Sequence, residues 1–463
     1  MNYGTAGFRS NFNDIVKISF YVGFIISLMC QKYKKNYGIM ITASHNEHND
    51  NGLKIVNNYG HMISKEEEDE IINYLLNNEK TNNIIIDKNN NYKIFIGRDT
   101  RKSSIEIFNE IEKGININNI EIVDFGLVTT PEHHFKINNN FYITSIIKLL
   151  NENNNKYNIN IDCANGVGFI LFDKIFKYVE NKTWNSLKFI NINIEKYELL
   201  NNECGTDYFI NNKNNVLNIE NGIYGSIDGD GDRSIFFNVQ NNKIINLFDG
   251  DTLSLIYLHY LVNYCNINET DISVIYTSYS NSAFIDFVNK KYPNVNIKCS
   301  KTGVKNCEKH AKTNCKVGIY FENNGHGTVL NNNHLNLKLL NFINPIVGDG
   351  VINIFLILIL LNVMNLDFED FNYEKYKLNN YKIKLNNKNI VNFVNDENET
   401  CLLKPDNIVI KINKLIIKYN LKRIFVRKSG TENVLRVLIE SNNYELNNNS
   451  FEELETYILQ YSN

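Results

Sequence analysis

The sequence predicts an α/β protein made of several successive units. Short apolar runs such as Tyr37–Ile41 alternate with longer segments of helical spacing such as Lys65–Asn77, and each run gives way to a loop of glycines and polar residues. Strands that alternate with helices form βαβ units with mainly parallel pairing. With 463 residues, the chain has the length of about three or four ordinary domains.

The composition argues against several classes of protein. The net charge is −3 and the lysines are scattered, so we expect no basic surface for nucleic acid. The eight cysteines include no CxxC pair, and reduced thiols are typical of a cytoplasmic protein. A zinc site at Cys299, Cys307, Cys315 and His310 is conceivable, but thiols on a helix and its flanks are the favoured interpretation.

Two apolar segments could be mistaken for membrane spans. Val351–Met364 is shorter than the ~20 residues that a span requires. Phe20–Cys30 lacks the small-residue cleavage site of a signal peptide. We therefore expect both segments to be buried helices of layered α/β units.

The first predicted domain, residues 1–155, carries a serine at the end of a strand. The run Tyr37–Ile41 leads into Thr42-Ala43-Ser44-His45-Asn46 and a polar loop, and α/β proteins present reactive oxygens at the carboxyl ends of their strands. Lys93–Gly97 and Ile120–Phe125 are further strands, and His133 and His134 after them are interpreted as structural. The opening Gly4-Thr5-Ala6-Gly7-Phe8-Arg9 is either a plain loop or a turn whose amides and arginine face an anion.

The second predicted domain, residues 156–248, contains a candidate metal loop. A strand at Gly225-Ser226-Ile227 ends in Asp228-Gly229-Asp230-Gly231-Asp232-Arg233. Three carboxylates at alternate positions, separated by glycines that permit a tight curl, can converge on one hard cation such as Mg²⁺. An EF-hand loop is excluded, because its sixth position is Arg233 instead of glycine and its twelfth is Val239 instead of glutamate.

The third predicted domain, residues 249–371, contains a candidate sugar loop. Its clearest strands are Ile272–Tyr276 and Val317–Tyr320, with the cationic turn Lys301-Thr302-Gly303-Val304-Lys305 between them. The second strand ends in Phe321-Glu322-Asn323-Asn324-Gly325-His326-Gly327. A carboxylate and amides beside glycines can bind sugar hydroxyls, which need directional donors and acceptors.

The smaller C-terminal predicted domain, residues 372–463, contains a candidate phosphate loop. Two strands, Arg423–Arg427 and Val434–Glu440, flank Lys428-Ser429-Gly430-Thr431-Glu432-Asn433. Arg427 on one side, Arg436 just beyond, and amides and hydroxyls at the tip suit a phosphate. A plain hairpin turn would leave the two arginines unexplained.

Together these loops predict a phosphosugar mutase. The chain has no Walker A sequence, so nucleotide-driven transfer lacks its usual cradle. A phosphate loop that is separate from the metal loop suggests a substrate held by one phosphate while another phosphoryl group is transferred. A serine beside a metal can carry that group, whereas a metallophosphatase would need only this half of the arrangement.

The motifs also resemble, in their order, those of the α-D-phosphohexomutases. GTAGFR, ITASHN with DNGLK, DGDGDR, KTGV with ENNGHGT, and FVRKSGTEN with Arg436 span nearly the whole chain. The opening and the NGHG form of the sugar loop are similar to the N-acetylglucosamine branch; glucose and mannose mutases usually carry a serine before that Gly-His. Glu47 and Lys428 stand where the family usually has proline, and Asn433 where it has an acidic residue.

The resemblance implies three successive α/β domains with mixed sheets and a smaller α+β C-terminal domain around a central cleft. It implies that Ser44 is the catalytic phosphoserine and that its phosphate holds Mg²⁺ together with Asp228, Asp230 and Asp232. The implied substrate-binding residues are Glu322, Asn323, Asn324, Arg427, Lys428, Ser429, Gly430, Thr431 and Arg436.

The implied activity is the interconversion of N-acetylglucosamine 6-phosphate and 1-phosphate through a hexosamine 1,6-bisphosphate, which feeds UDP-N-acetylglucosamine synthesis. We expect a cytoplasmic monomer whose partner is a small phosphosugar, without nucleic acid or membrane. Candidates for proton handling or charge neutralisation are Arg9, His45, Lys54 and Lys301. The alternatives are a glucose or mannose phosphate mutase of the same superfamily and a non-catalytic sugar-phosphate sensor.

Overall fold

A computed structural model describes residues 3–4, 7–77, 91–138, 141–216, 219–385, 393–429 and 433–462. Contacts divide the chain into two compact units. The first comprises Met1–Leu253, Asn324–Val329 and Leu337–Asp367, and the second comprises Ser254–Asn323, Leu330–Asn336 and Phe368–Asn463. The four domains proposed from the sequence stay a prediction.

The N-terminal sheet of the first unit has the strand order β1-β2-β4-β3-β5-β6. Its strands are β1 (Tyr3–Gly4), β2 (Gly7–Asn11), β3 (Tyr37–Ile41), β4 (Asp50–Asn57), β5 (Lys93–Arg98) and β6 (Glu121–Leu127). The accompanying helices are α1 (Phe12–Tyr33), α2 (Lys65–Asn77), α3 (Ser103–Asn116), α4 (Thr130–Lys136) and α5 (Tyr142–Glu152).

The pairing in this sheet is mixed. Strands β3, β5 and β6 are parallel, as βαβ units predict, but β4 is antiparallel to both β3 and β2. The polar loop predicted after Ser44 is therefore shorter than expected, because Asp50–Lys54, the DNGLK motif, belongs to β4. Polar residues hide the strand in the sequence, and tertiary contacts satisfy them: Asn51 Nδ2, for example, donates to Ser103 Oγ at 2.9 Å.

Helix α1 contains the apolar run Phe20–Cys30 and packs closely against α3. A Cβ atom at Gly23 would lie 2.3 Å from the carbonyl oxygen of Ile111, and one at Gly114 would lie 2.1 Å from that of Phe20. Within the described residues α1 is long and apolar enough to span a membrane, but half of its apolar window is buried. The contacts with α3 are those of a core helix of a globular protein.

The second sheet of the first unit has the order β11-β10-β9-β7-β8. Its strands are β7 (Asn160–Asp162), β8 (Lys188–Ile190), β9 (Gly222–Ile227), β10 (Ser234–Gln240) and β11 (Lys243–Phe248), with helices α6 (Gly168–Phe176) and α7 (Thr206–Asn211). Strand β9 is parallel to β7 and antiparallel to β10. The carboxylate loop connects β9 to β10.

The third sheet has the order β13-β12-β14-β15, and its first three strands lie in the second unit. Its strands are β12 (Ile272–Thr277), β13 (Asn296–Ser300), β14 (Val317–Phe321) and β15 (Gly327–Asn331), and the helices of this stretch are α8 (Gly250–Asn263), α9 (Ser282–Lys291), α10 (Val304–Ala311) and α11 (Gly350–Met364). Helix α11 belongs to the first unit and packs on β9 and β10. All but two of its residues are buried, as expected for the run Val351–Met364.

The C-terminal part of the second unit is an antiparallel sheet with two helices on one face. Its strands are β16 (Lys377–Lys384), β17 (Val394–Asn395), β18 (Leu402–Lys404), β19 (Arg423–Lys428) and β20 (Val434–Ser441), and its helices are α12 (Asp406–Lys418) and α13 (Tyr444–Ser462). The order is β16-β20-β19, with β17 and β18 as a separate pair. Ile383, Leu435 and Val426 face the helices, so Arg427 and Arg436 lie on the opposite face. The α/β class with mixed sheets is confirmed.

Candidate active site

Ser44 lies directly after β3, where the chain leaves the N-terminal sheet. Its backbone has φ 52°, in the left-handed region that non-glycine residues rarely adopt. The Ser44 amide donates to Thr42 Oγ1 at 2.9 Å, and the residue is fully buried. The turn therefore holds the serine hydroxyl inside the first unit, away from bulk solvent.

Two side chains hold the carbonyl groups of this serine loop. Arg101 Nη2 donates to the carbonyl oxygens of Ser44 at 3.2 Å and Asn46 at 2.5 Å. Asn201 Nδ2 donates to the same two oxygens at 2.8 and 3.0 Å. Arg101 is itself fixed by a buried ion pair with Asp99. Glu47 stands where the related motif has proline. These contacts therefore restrict the backbone of the serine loop, which the fixed φ of a proline would otherwise do.

The carboxylate loop curls tightly after β9. One oxygen from each of Asp228, Asp230 and Asp232 lies within 4.8 Å of the others, and all three residues are buried. A Cβ atom at Gly229 would lie 2.7 Å from Asn201 Nδ2 and 3.1 Å from the carbonyl oxygen of Ser44, so a larger residue there would displace the amide that holds the serine loop. The glycines thus allow the loop to approach the serine.

The serine and the carboxylates meet in the interior of the first unit. Ser44 Oγ donates to Asp228 Oδ2 at 2.7 Å and lies 3.5 Å from Asp232 Oδ1. Lys54 Nζ, from β4, lies 2.7 Å from Asp230 Oδ2 and 2.8 Å from Asp232 Oδ2. A hydroxyl, three carboxylates and one ammonium group therefore form a single polar cluster.

Further cations and hydrogen-bond donors surround the cluster. Thr130 Oγ1 donates to Asp230 Oδ2 at 2.7 Å, and His326 Nε2 lies 3.9 Å from Asp232 Oδ2. Arg233 Nη1 pairs with Asp207 Oδ2 at 2.8 Å, and His45 Nε2 lies 3.5 Å from the same oxygen. Arg9 Nη1 donates to Asn46 Oδ1 at 3.1 Å. Of the four sequence candidates for charge neutralisation, Lys54 contacts the carboxylates and Arg9 contacts the serine loop.

The pKa values of the three carboxylates shift in different directions. Burial, with the charges of Asp232 and Asp230, raises the pKa of Asp228 well above its ordinary value. Burial would also raise the pKa of Asp232, but His326, Lys54 and Arg233 outweigh it and lower that pKa. Lys54 likewise lowers the pKa of Asp230 against the effects of burial and Asp232. The repulsion that Lys54 leaves uncompensated therefore falls on Asp228, the partner of Ser44.

The donor set fits a hard divalent cation. All the ligand atoms are carboxylate oxygens, and buried Asp230 Oδ1 has no hydrogen-bond partner among the residues that the structure describes. A divalent cation would satisfy that oxygen and relieve the repulsion at Asp228. Within the described ranges this is the one cluster of three or more metal-ligating side chains; Cys299, Cys307, Cys315 and His310 form no such group.

The predicted sugar-loop residues follow β14. In the second unit, Glu322 Oε1 accepts from the Gly303 amide at 2.9 Å and Asn323 follows it. Asn324 belongs to the first unit, where its Oδ1 accepts from the His326 amide at 3.3 Å. Lys301 is exposed.

The predicted phosphate-loop residues lie at one end of the β19–β20 pair. Arg427 and Arg436 are direct cross-strand partners, and the Ser429 amide donates to the Val434 carbonyl oxygen at 3.0 Å. Like charges directly opposite each other are unfavourable, so this pair favours an anion between the guanidinium groups. Lys428 is half-buried. Gly430 and Thr431 lie outside the described residues.

Sequence reasoning missed three residues of the site. Thr130 and Arg101 each follow a strand of the N-terminal sheet, so the rule that polar groups gather at carboxyl strand ends could have found them. Asn201 lies in a loop of a chain that is rich in asparagine throughout. No local signal distinguishes it, because its role depends on a partner 157 positions away in the sequence.

Three family models match the chain. "Phosphoacetylglucosamine mutase AMG1, domain III" matches residues 249–341. "Phosphoglucomutase/phosphomannomutase, alpha/beta/alpha domain I" matches residues 5–82 and 81–174. "Phosphoglucomutase/phosphomannomutase, C-terminal domain" matches residues 391–456.

Similar proteins cover nearly the whole chain. The phosphoacetylglucosamine mutase of Candida albicans is 31% identical, over 98% of this chain and 94% of that protein. A solved N-acetylglucosamine-phosphate mutase in its substrate complex is 30% identical, with a TM-score of 0.86 over 99% of this chain and 96% of that one. The Aspergillus fumigatus N-acetylphosphoglucosamine mutase, solved with GlcNAc-6P and magnesium, is 25% identical, with a TM-score of 0.89 over 100% and 96%. The resemblance is confirmed: the chain belongs to the phosphoacetylglucosamine mutases, isomerases of the α-D-phosphohexomutase superfamily.

Proposed function

We propose that this enzyme interconverts N-acetylglucosamine 6-phosphate and N-acetylglucosamine 1-phosphate with Ser44 as the phosphoryl carrier. The observation that carries the proposal is the 2.7 Å contact between Ser44 Oγ and Asp228 inside a buried cluster of three carboxylates. A hydroxyl in that position lies where a phosphoryl group on it could share a cation with the carboxylates. The relatives solved with substrate and with GlcNAc-6P and magnesium support the same substrate class.

The proposed reaction consists of two phosphoryl transfers, each of a different phosphoryl group. In the first transfer the bond between phosphorus and Ser44 Oγ breaks, a bond forms to the free hydroxyl oxygen of the sugar monophosphate, and a hydrogen passes to the serine side. The product is a 1,6-bisphosphate. After the bisphosphate turns over in the site, the bond between its other phosphorus and the sugar oxygen breaks as a bond to Ser44 Oγ forms. The serine proton passes to that sugar oxygen, and the isomeric monophosphate is released.

Asp228, Asp230 and Asp232 would hold Mg²⁺ together with the phosphate on Ser44. When bound, Mg²⁺ offsets the charge that develops on the transferred phosphoryl group. The residues of the chain do the positioning. Arg101 and Asn201 fix the serine loop, and Lys54 neutralises part of the carboxylate charge, so the oxygen is oriented before the sugar arrives.

The sugar loop and the phosphate loop would recognise the substrate. We assign the sugar hydroxyls to Glu322, Asn323 and Asn324. The phosphate that does not react is assigned to Arg427, Lys428, Ser429, Gly430, Thr431 and Arg436. The directly opposed arginines support this assignment, because a phosphate dianion matches two guanidinium groups in charge and in geometry.

The test of the carrier is Ser44→Ala, assayed for 6-to-1 conversion with catalytic amounts of hexosamine 1,6-bisphosphate. We expect turnover to fall by a factor of at least about 10³, as for loss of a covalent carrier. Phosphopeptide mapping should find the phosphoryl group on Ser44 of the active enzyme. Ser145→Ala, at a half-buried position of α5, is the control. A Ser44→Ala enzyme that keeps most of its turnover would remove Ser44 from the role.

Specificity for the N-acetyl sugar is tested by comparing kcat/KM for the 6-phosphates of N-acetylglucosamine, glucose and mannose. The match of residues 249–341 to the domain III model of the N-acetylglucosamine enzymes supports preference for the first. Equal values for the three sugars would favour a general phosphohexomutase, which shares the other two matched domains.

We also propose that the enzyme acts as a monomer in the cytoplasm, where its product supplies UDP-N-acetylglucosamine synthesis. All eight cysteines are free thiols, which suits a reducing compartment. Light scattering at micromolar concentration measures the oligomeric state directly, and fractionation with compartment markers measures the location.

A further inference from the structure

We infer that Tyr279 is a positioning residue for the distal phosphate, because it sets the orientation of the Arg427 guanidinium group. The inference rests on the proposed function, since it takes Arg427 as a phosphate ligand. Tyr279 follows β12 in the second unit and is half-buried. Its phenolic oxygen accepts a hydrogen bond from Arg427 Nε at 2.9 Å.

The tyrosine ring also contacts the arginine and its strand. The guanidinium carbon of Arg427 lies 5.4 Å from the centroid of the Tyr279 ring, within the range of a cation–π contact. The ring of Phe425, two residues earlier on the same face of β19, packs edge-on against Tyr279 at 6.1 Å and 87°. Tyr279 therefore contacts the arginine through its hydroxyl and its ring, and its ring is fixed by a second contact.

The segment that carries Tyr279 is anchored to the C-terminal part of the second unit on both sides. Ser278 Oγ donates to the Glu399 carbonyl oxygen, and Arg423 Nη2 donates to the Ser280 carbonyl oxygen at 2.7 Å. The Ser282 amide donates to buried Glu440 at 3.1 Å. Because these contacts lie on either side of position 279, the phenolic oxygen is a fixed acceptor for Arg427.

A fixed acceptor on Nε determines how the arginine can bind an anion. A free guanidinium group can bind an oxyanion through Nε and one Nη, or through its two terminal Nη groups. With Nε bound to Tyr279, the two Nη groups are the remaining donors, so the phosphate is received end-on. Arg436, directly opposite, supplies the second cation.

The position of Tyr279 also relates the phosphate to the sugar. Strands β12 and β14 are adjacent and parallel, and Glu322 of the sugar loop follows β14 as Tyr279 follows β12. Both residues thus lie at the carboxyl edge of one sheet. The residue that orients Arg427 is therefore part of the same rigid edge as the proposed sugar carboxylate, which fixes the spacing between the two halves of the substrate.

The test uses Tyr279→Phe, which keeps the ring and removes the acceptor. We expect KM for N-acetylglucosamine 6-phosphate to rise about tenfold, the worth of one hydrogen bond to a charged group, with kcat within about twofold. The inhibition constant of inorganic phosphate should rise with it, because that probe has no sugar. Tyr276→Phe removes a hydroxyl from a half-buried tyrosine of β12 itself and should change neither value. Tyr279→Ala, which also loses the ring contact, should raise KM further.

Double variants separate positioning from general destabilisation. In an Arg427→Ala background, Tyr279→Phe should have no further effect on KM, since the group that it orients is gone. If Arg427→Ala raises KM but Tyr279→Phe does not, or if Tyr279→Phe has the same effect in both backgrounds, the inference is wrong while the phosphate loop stands. If Arg427→Ala leaves KM unchanged, the proposed phosphate site and the role of Tyr279 are both wrong.

Discussion

At the scale of single residues, Asn201 shows how one side chain can order a reactive loop from a distance. Its amide nitrogen bridges the carbonyl oxygens of Ser44 and Asn46, the residues on either side of half-buried His45. Ser44 has the left-handed backbone of a strained position, and such strain persists only where surrounding contacts determine it.

Replacing Asn201 by alanine should lower kcat about tenfold and leave KM nearly unchanged. The serine oxygen would keep its chemistry but lose part of its orientation, and small misplacements of a reacting atom are costly. Asn202→Ala, at the exposed neighbouring position, is the control in the same steady-state assay. A rise in KM with an unchanged kcat would contradict the role of Asn201 as a support of the serine loop.

Two buried histidines should make stability depend on pH. Burial lowers the pKa of His133 to about 4 and lowers the pKa of His134 well below its ordinary value. Each ring uses one nitrogen, His133 Nε2 to the Phe95 carbonyl oxygen and His134 Nδ1 to that of Gly60. The other nitrogen of each is buried without a partner in the described part of the chain, so both rings are neutral.

The unfolded chain takes up protons on these histidines near pH 6.5, whereas the folded chain does not until the pH is much lower. The free energy of unfolding should therefore fall as pH falls below about 6.5, by up to about 1.4 kcal/mol per pH unit for each histidine. Urea unfolding at pH 7.5, 6.5 and 5.5 measures this slope. His133→Gln should flatten it, and His48→Gln, at a half-buried position, should not; equal slopes for both variants would refute the assignment.

At the scale of elements, the contact between α1 and α3 depends on two glycines. Gly114→Ala should lower the free energy of unfolding by about 1–3 kcal/mol, because the added methyl group would meet the Phe20 carbonyl oxygen at 2.1 Å and overpacking is costly. The gain in helix propensity, about 1 kcal/mol, offsets only part. Denaturant midpoints measure the change, with exposed Lys113→Ala as control. An unchanged or raised midpoint would show that the helices can separate without loss.

Elements with a regular apolar period and a polar stop are those that the sequence predicts best. The runs Tyr37–Ile41 and Lys65–Asn77 match β3 and α2 in their bounds, because an apolar period and a polar stop mark both ends. Strand β4 is different. Asp50, Asn51 and Lys54 interrupt its apolar pattern, and their partners come from distant segments, so the hydrogen-bonded neighbours on both sides determine the strand where local preference does not.

The site shows the same division. Ser44 and the three aspartates could be singled out because a reactive oxygen after a strand and carboxylates at alternate positions have a local chemical meaning. Arg101 and Thr130 have only a weaker signal, their place after a strand, and Asn201 has none until the fold brings it to the serine loop. The spacing of side chains in a turn is a property of the sequence, whereas the support of that turn is a property of the tertiary structure.

At the scale of the whole molecule, the two compact units hold different charge clusters, so ligands should stabilise them separately. Mg²⁺ at 100 times its dissociation constant should add about 2.7 kcal/mol to the unit that holds the carboxylates, and inorganic phosphate should act on the unit that holds Arg427 and Arg436. Scanning calorimetry should show each ligand moving a different part of the transition.

Two variants serve as controls for this experiment. Asp230→Asn should abolish the shift with Mg²⁺ and leave that with phosphate, and Arg427→Ala should do the opposite. A single transition that moves as a whole with either ligand would show that the two units unfold as one cooperative block.

The order in which the two units alternate along the chain affects how the protein is made. The first unit is complete only with Leu337–Asp367, which includes the almost fully buried α11, yet Ser254–Asn323 of the second unit comes before it. On the ribosome, the serine and carboxylate loops are therefore synthesised long before the helix that closes their core. Until Met364 has left the exit tunnel, the nascent chain exposes the apolar faces of β9 and β10, and it is during this interval that we expect chaperones to bind it.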